Sequence, residues 1–354
     1  MTSDVRPSKD IPGSDLLGVL YTHNHPPTAD WMKGLPDDIP LEHTNIPGTH
    51  DAAAWNYAGP NHDMFNCQDR PLLQQLDAGI RFLDLRFGYS ADQTELVFYH
   101  ATALLSSTTR VQDVLSGMQQ WLQLHPTETL LLSMKVDNGP TDEALQNTMY
   151  DLIAGEIGKT MWSQLSGELG TLGQVRGKFV LIRRFDWTGL PSTETSLPGI
   201  NLAPANWADN GLSFIVNYAP KHVANIEDFY RVPDDEGLQG VVQRKYDATT
   251  EHIATAVRSF SAKTDKGAFW ITFASAAGFN DQGETIYPKP TALGDGSTEG
   301  VDQGLYKWLQ DLSASETSAE TQQASGPNKR AGVILLDFFA SVEDLVPSII
   351  RLNF

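Results

Sequence analysis

Short, nearly continuous apolar runs recur along the chain, separated by segments whose apolar positions fall at helical spacing. Residues 79–89 (GIRFLDLRFGY), 95–101 (ELVFYHA), 129–136 (TLLLSMKV) and 178–185 (KFVLIRRF) predict strands. So do 212–217 (LSFIVN), 240–246 (GVVQRKY), 268–274 (AFWITFA) and 332–338 (GVILLDF). Runs this rich in β-branched and aromatic residues describe strands buried on both faces, as in a parallel sheet. Between them, 111–124 sets Val111, Val114, Leu115, Met118, Trp121 and Leu122 on one helical face. Segments 141–157, 250–260, 304–312 and 342–352 predict further helices, and Asp142 and Glu143 suit a helix first turn. This alternation predicts an α/β protein: a single (β/α) barrel of TIM type, distorted or incompletely closed, rather than a bundle or sandwich. Two Ser/Thr-rich stretches, 186–201 and 313–328, read as loops, and no linker divides the chain.

Composition narrows the partners. The chain has 354 residues, 40% hydrophobic and 19% charged, which suits one globular barrel. A formal charge of -19 gains nothing from releasing counterions at a phosphate backbone, which argues against nucleic acid. It also confines any contact with an anionic membrane to local apolar patches. Cys67 is the single cysteine, so no internal disulfide can form. No apolar run reaches bilayer-spanning length, and residues 1–15 lack a basic-then-apolar signal pattern. The expectation is a monomer that is cytoplasmic, or secreted with its signal removed.

The candidate chemistry lies at strand ends. In IPGTHD, at 46–51, Pro47 and Gly48 turn the chain sharply and His50 and Asp51 follow. Taken alone, this is equally a turn with a solvent-facing imidazole. Asp84 and Arg86 share one face of their strand by its two-residue period. They read either as a structural ion pair or as an arginine fork for a phosphate, held by an acid. His100 and Lys135 close the next two runs. Ionisable residues at four consecutive apolar strand ends point to an active site at the barrel mouth. His23 and His25 lack a third metal ligand at useful spacing. Trp55 and Tyr57 read as an apolar lip or as core, and Cys67 as packed rather than reactive.

IPGTHD, the spacer with Gln68 and Leu73, LDAGIRFLDLR, VFYH and HPTETLLLSMK together resemble the bacterial-type phosphatidylinositol-specific phospholipase C (X-domain) family. GKFVLIRRFD, NWADN, VVQRKY, WITFAS and GVILLDFFA extend the resemblance from about residue 38 to residue 351. It implies a phosphodiesterase barrel at 38–354, with residues 1–37 as an extension packing on it. The implied reaction is metal-independent cleavage of phosphatidylinositol, or a related inositol phosphodiester, to a cyclic inositol phosphate and diacylglycerol. No cofactor is expected. The implied partners are a phospholipid head group and a transient membrane surface.

The resemblance also assigns roles. His50 matches the general base, Asp337 the acid that orients it, and His100 the general acid. Asp51 matches the acid serving Arg86 and His100; Arg86 matches the phosphate-binding arginine, with Asp84 beside it. Lys135, Arg184 and Tyr246 match contacts to the inositol ring. The family places an acid two positions before the stacking tyrosine, whereas Arg244 stands there in VVQRKY. That departure implies an altered head group, a match that slips along the chain, or a pairing of Arg244 with a nearby acid. Two other readings stay open: the same chemistry on another phosphodiester, and a catalytically silent lipid-binding relative.

Overall fold

The computed structural model describes residues 11–23, 25–190, 198–264, 267–314 and 329–354. The middle of the first predicted loop, 191–197, and nearly all of the second, 315–328, lie outside the described residues. The strands are β1 (Ile46–Thr49), β2 (Phe82–Tyr89), β3 (Leu96–His100), β4 (Ala103–Leu104), β5 (Leu130–Asn138), β6 (Phe179–Arg184) and β7 (Ile200–Asn201). They continue as β8 (Phe214–Ala219), β9 (His222–Glu227), β10 (Arg231–Pro233), β11 (Phe269–Phe273), β12 (Ala277–Asn280), β13 (Gly283–Ile286) and β14 (Val333–Leu336).

Nine of them form the barrel wall in the order β7-β6-β5-β2-β1-β14-β11-β9-β8. Neighbours run parallel except β8 and β9, which are antiparallel. The wall is not sealed between β7 and β8. The expected distorted (β/α) barrel is therefore present, with its break located. Continuous burial along β14, β11 and the first half of β5 explains their unbroken apolar runs. Gly48 lets β1 sit between its neighbours, since a Cβ there would lie 3.0 Å from the Phe82 carbonyl oxygen and 3.2 Å from Leu335.

Two strand readings change. Residues 95–101 do form β3, but it runs antiparallel to the overhanging end of β2 and is not a barrel stave. Residues 240–246 are helical, inside the 25-residue helix Gly237–Ser261. Its buried positions, Val241, Val242, Lys245, Thr249, His252, Ile253 and Ala256, follow a helical period. A seven-residue window is too short to separate that pattern from a strand. The other predicted helices lie at Val111–Leu124, Glu143–Ala154, Val301–Ala314 and Leu345–Arg351.

Ahead of the barrel, Leu16, Leu17, Ala29, Trp31, Met32 and Leu35 are buried in the same core as the barrel strands. They cover the end at which β2 and β5 begin. There Arg81, fully buried, pairs with Glu128 at 2.8 Å and donates to the Ala29 carbonyl at 2.7 Å.

Candidate active site

The opposite end of the barrel carries the predicted chemistry. β1 pairs with β14 so that Thr49 stands opposite Leu336. The next residues, His50 and Asp337, therefore leave the sheet side by side, and His50 Nδ1 lies 2.9 Å from Asp337 Oδ1. Gln68 ties the two corners, its Nε2 donating to the carbonyls of His50 (2.7 Å) and Leu336 (2.9 Å).

The registers of β2, β5 and β6 set Arg86 opposite Lys135, and Lys135 opposite Arg184. Three cations thus stand abreast in one layer of the wall. Side by side they repel one another, and buried acids hold them. Asp84 accepts from Arg86 Nε at 3.0 Å and from Arg184 Nη1 at 3.2 Å. Asp51 lies 3.5 Å from Arg86 Nη1, and Asp137 takes Lys135 Nζ at 2.6 Å. His100 arrives from β3: its Nδ1 lies 2.9 Å from the Phe65 carbonyl oxygen and 3.4 Å from Asp51 Oδ2. The rings of His50 and His100 face each other edge-on, with centroids 6.2 Å apart. Each has Nδ1 engaged, which leaves Nε2 as the nitrogen free for chemistry.

His50, Arg86, His100, Lys135, Arg184 and Asp337 line a cavity of about 390 Å³ that also takes in Trp207, Asp209, Asp228, Tyr230 and Glu284. The Arg184 guanidinium stacks 3.7 Å above the Trp207 ring. Trp207 Nε1 donates to Asp228 (2.7 Å), and Tyr230 OH to Asp209 (2.7 Å).

Electrostatics divide the labour. Burial, then Arg86, pushes His50 well below its ordinary value, so the imidazole is neutral near pH 7. Burial among apolar neighbours, with Asp302 close, drives the Asp337 carboxyl up. Burial raises Asp51 to about 6 against the pull of His100 and Arg86. At Asp84 burial acts in the same sense but is outweighed by Arg86 and Arg184, which hold the carboxyl well below the usual range. Arg86 stays charged because burial is overcome by Asp84, Asp51 and Asp137. Burial, with Arg86 next, lowers Lys135. Burial also pushes the Cys67 thiol well up, as expected for a packed cysteine.

The structure brings together His50, Asp51, Asp84, Arg86, His100, Lys135, Arg184 and Asp337. It does not bring Arg244 or Tyr246 to the cavity, because both ride on the helix Gly237–Ser261. Arg244 pairs with Asp235 (2.5 Å) and Glu236 (3.2 Å), and Tyr246 packs over Gly304. The acid-then-tyrosine spacing expected at 244 and 246 is present instead at Asp228 and Tyr230, just past β9. Sequence reasoning missed this pair, although two polar positions straddling Phe229 after a strand were the available signal. Asp137, Trp207 and Asp209 were missed as well. Trp55 is half-buried and donates to the Asp15 carbonyl (3.0 Å), and Tyr57 is half-buried too.

Among the described residues, two groups bring three metal-ligand side chains within 4.8 Å of one another: His50, Cys67 and Asp337, and His25, Asp77 and His125. In the first, His50 Nδ1 is taken by Asp337 and the thiol stays protonated, a poor cradle for an ion.

Residues 39–185 match the family model described as phosphatidylinositol-specific phospholipase C, X domain. The chain is 29% identical over 222 residues to PI-PLC X domain-containing protein 1 of Homo sapiens, covering 54% of this chain and 66% of that one. It is 29% identical over 163 residues to the 1-phosphatidylinositol phosphodiesterase of Listeria monocytogenes, covering 44% and 48%. These two matches thus span less than two thirds of either relative's length. The 1-phosphatidylinositol phosphodiesterase of Staphylococcus aureus strain Newman is 25% identical over 264 residues, covering 72% and 81%. A solved variant of phosphatidylinositol-specific phospholipase C from Staphylococcus aureus superposes with a TM-score of 0.69 at 21% identity, covering 92% of this chain and 98% of that one. The Listeria monocytogenes enzyme does so at 0.66 and 22%, covering 92% and 99%.

Proposed function

We propose that this chain, which carries a phosphatidylinositol-specific phospholipase C X domain at residues 39–185, is a metal-independent phosphodiesterase that cleaves phosphatidylinositol or a related inositol phosphodiester. One observation carries the reading: two histidine rings meet edge-on with centroids 6.2 Å apart, each with a carboxyl oxygen near its Nδ1, and Arg86 shares Asp51 with His100.

In this reading a phosphodiester lies on Arg86, which meets the charge developing on the non-bridging oxygens. Nε2 of neutral His50 takes the proton of the inositol 2-hydroxyl as its oxygen bonds to phosphorus. Asp337 holds the ring through its contact with Nδ1. The bond from phosphorus to the glycerol oxygen breaks, and that oxygen takes a proton from His100, whose Nδ1 is held by the Phe65 carbonyl with Asp51 beside it. The products are a cyclic inositol phosphate and diacylglycerol. Lys135, Arg184, Asp228 and Tyr230 are the groups positioned to receive the ring hydroxyls. Asp228 takes the acceptor role that the chain lacks at Arg244, which supports an ordinary inositol head group.

A membrane surface is the proposed source of substrate. Leu212 and Ile215 are 59% and 62% exposed, and Leu212 follows Gly211, whose carbonyl accepts from Asp228 N at 2.9 Å. Apolar side chains thus flank the cavity on an otherwise acidic protein. Among the described residues no helix is long and apolar enough to cross a membrane.

The test is phosphorus NMR of product from phosphatidylinositol vesicles with chelator present. A cyclic phosphodiester should form. His50→Ala and His100→Ala should each lower kcat by roughly 10²–10⁴-fold while vesicle binding persists. Turnover unaffected by both substitutions, or abolished by chelation and restored by calcium, sinks the reading.

A further inference from the structure

At the closed end of the barrel, far from the cavity, three elements bring two histidines and an acid together. His25 lies just ahead of the short helix Pro27–Gly34, Asp77 ends the helix Leu72–Asp77, and His125 caps the helix Val111–Leu124. The two imidazoles meet edge-on with centroids 4.3 Å apart. Each has its Nδ1 held by a carboxylate: His25 by Asp77 at 3.2 Å, and His125 by Asp30 at 2.9 Å. Each Nε2 is buried and has no hydrogen-bond partner. His125 is only 1% exposed. Leaving one buried imidazole nitrogen unsatisfied is costly, and two side by side call for a shared partner.

The surroundings favour a cation. Three acids, Asp30, Asp77 and Glu128, surround the guanidinium of Arg81. At His125, Asp30 on the far nitrogen is the arrangement that orients an imidazole on a metal and raises its basicity. Trp121 fixes the set, donating from Nε1 to Asp77 Oδ1 at 2.9 Å and stacking on His125 with centroids 4.1 Å apart. One ligand atom from each of His25, Asp77 and His125 lies within 4.8 Å of the others. Ligation at about 2.0–2.2 Å requires them to close by roughly an ångström. His25 can supply that movement, because it stands on the segment ahead of the barrel and its side chain is 14% exposed.

We infer that His25, Asp77 and His125 bind one divalent transition-metal ion of the zinc class. The nitrogen and oxygen donors suit such an ion. The ion acts as a clasp: it ties the segment ahead of the barrel to two helices of its floor, and takes no part in the chemistry at the mouth. The site is independent of the proposed phosphodiesterase activity.

The experiment uses the full chain, stripped with chelator and dialysed. Zinc is titrated calorimetrically with elemental analysis of the product, and cobalt(II) by its visible absorption. One equivalent should bind. Tm should rise by about 4 °C when free zinc is a hundredfold above Kd. His25→Gln, which disturbs little of the core, should abolish both the binding and the rise, and Asp77→Asn serves as the second variant. His50→Ala should leave binding at one equivalent. No binding by zinc, cobalt or nickel overturns the inference. Binding that survives His25→Gln and is lost in His50→Ala places the ion in the cavity, and overturns it too.

Discussion

At the scale of single residues, the site is built on backbone corners that no glycine occupies. Asp51, Ala101 and Phe338 all have left-handed φ, at 42°, 50° and 47°. Each is the second residue of a pair whose first member is His50, His100 or Asp337. A non-glycine residue there costs about 1–2 kcal/mol, and such strain gathers where a fold must aim a side chain. Asp51 carries a second burden, since burial raises its carboxyl to about 6. Below that pH it is protonated and loses its charge toward Arg86 and His100. The expected pH profile of kcat/KM therefore falls as pH drops through about 6, and Asp51→Asn should lower the plateau and remove this limb. A limb unchanged in Asp51→Asn assigns it elsewhere. His50 stays neutral through this range because its own value is displaced well downward. These residues were legible in the sequence because IPGTHD and DLR set charges against apolar runs. Their mutual distances were not, because they depend on the register of β1 against β14.

At the scale of elements, the error and its repair share a cause. The VVQRKY segment reads as a strand because Lys245 and the two valines are all inward-facing, and six residues do not reveal a period of 3.6. The buried lysine is matched by Glu227 at the end of β9, 2.7 Å away, a pairing invisible without the fold. β9 itself was missed because HVANIE mixes polar with apolar positions. With it went the pair just beyond, Asp228 and Tyr230. Opposite outcomes are expected for two substitutions that the sequence alone would have confused. Arg244→Asp should leave the preference between phosphatidylinositol and its phosphorylated forms unchanged, at a stability cost of about 1 kcal/mol or less. Asp228→Asn should raise KM by roughly tenfold or more, since hydrogen bonds to charged acceptors are worth about 1.5–3 kcal/mol. Steady-state kinetics on mixed vesicles reads both.

At the scale of the whole molecule, the barrel is finished from outside at one end and left open along one side. The segment 11–37 supplies Trp31 and Met32 to the core, and Trp31 Nε1 donates to the Gly79 carbonyl at 2.9 Å. It also provides the Ala29 acceptor for buried Arg81. Fully burying a large apolar side chain is worth about 1.5–3 kcal/mol, so the segment contributes on the order of the whole stability of a domain. A chain beginning at residue 38 is expected to lose its near-ultraviolet circular dichroism; native-like spectra and cooperative melting would show the segment to be dispensable. The alternation of runs and helices announced a barrel, but not its break, because closure depends on strand count and stagger rather than on any one segment. That break has a kinetic consequence. Where β7 and β8 fail to meet, their outer amides have no neighbouring strand to lock them, whereas those of β2 and β5 are laced from both sides. Hydrogen exchange should therefore run as a gradient around the ring. Amides at 200–201 and 214–219 should exchange through small local openings, and those at 82–86 and 131–134 only when the whole barrel unfolds. The flank of the cavity formed by Trp207 and Asp228 would then breathe, while the flank holding Arg86 stays fixed.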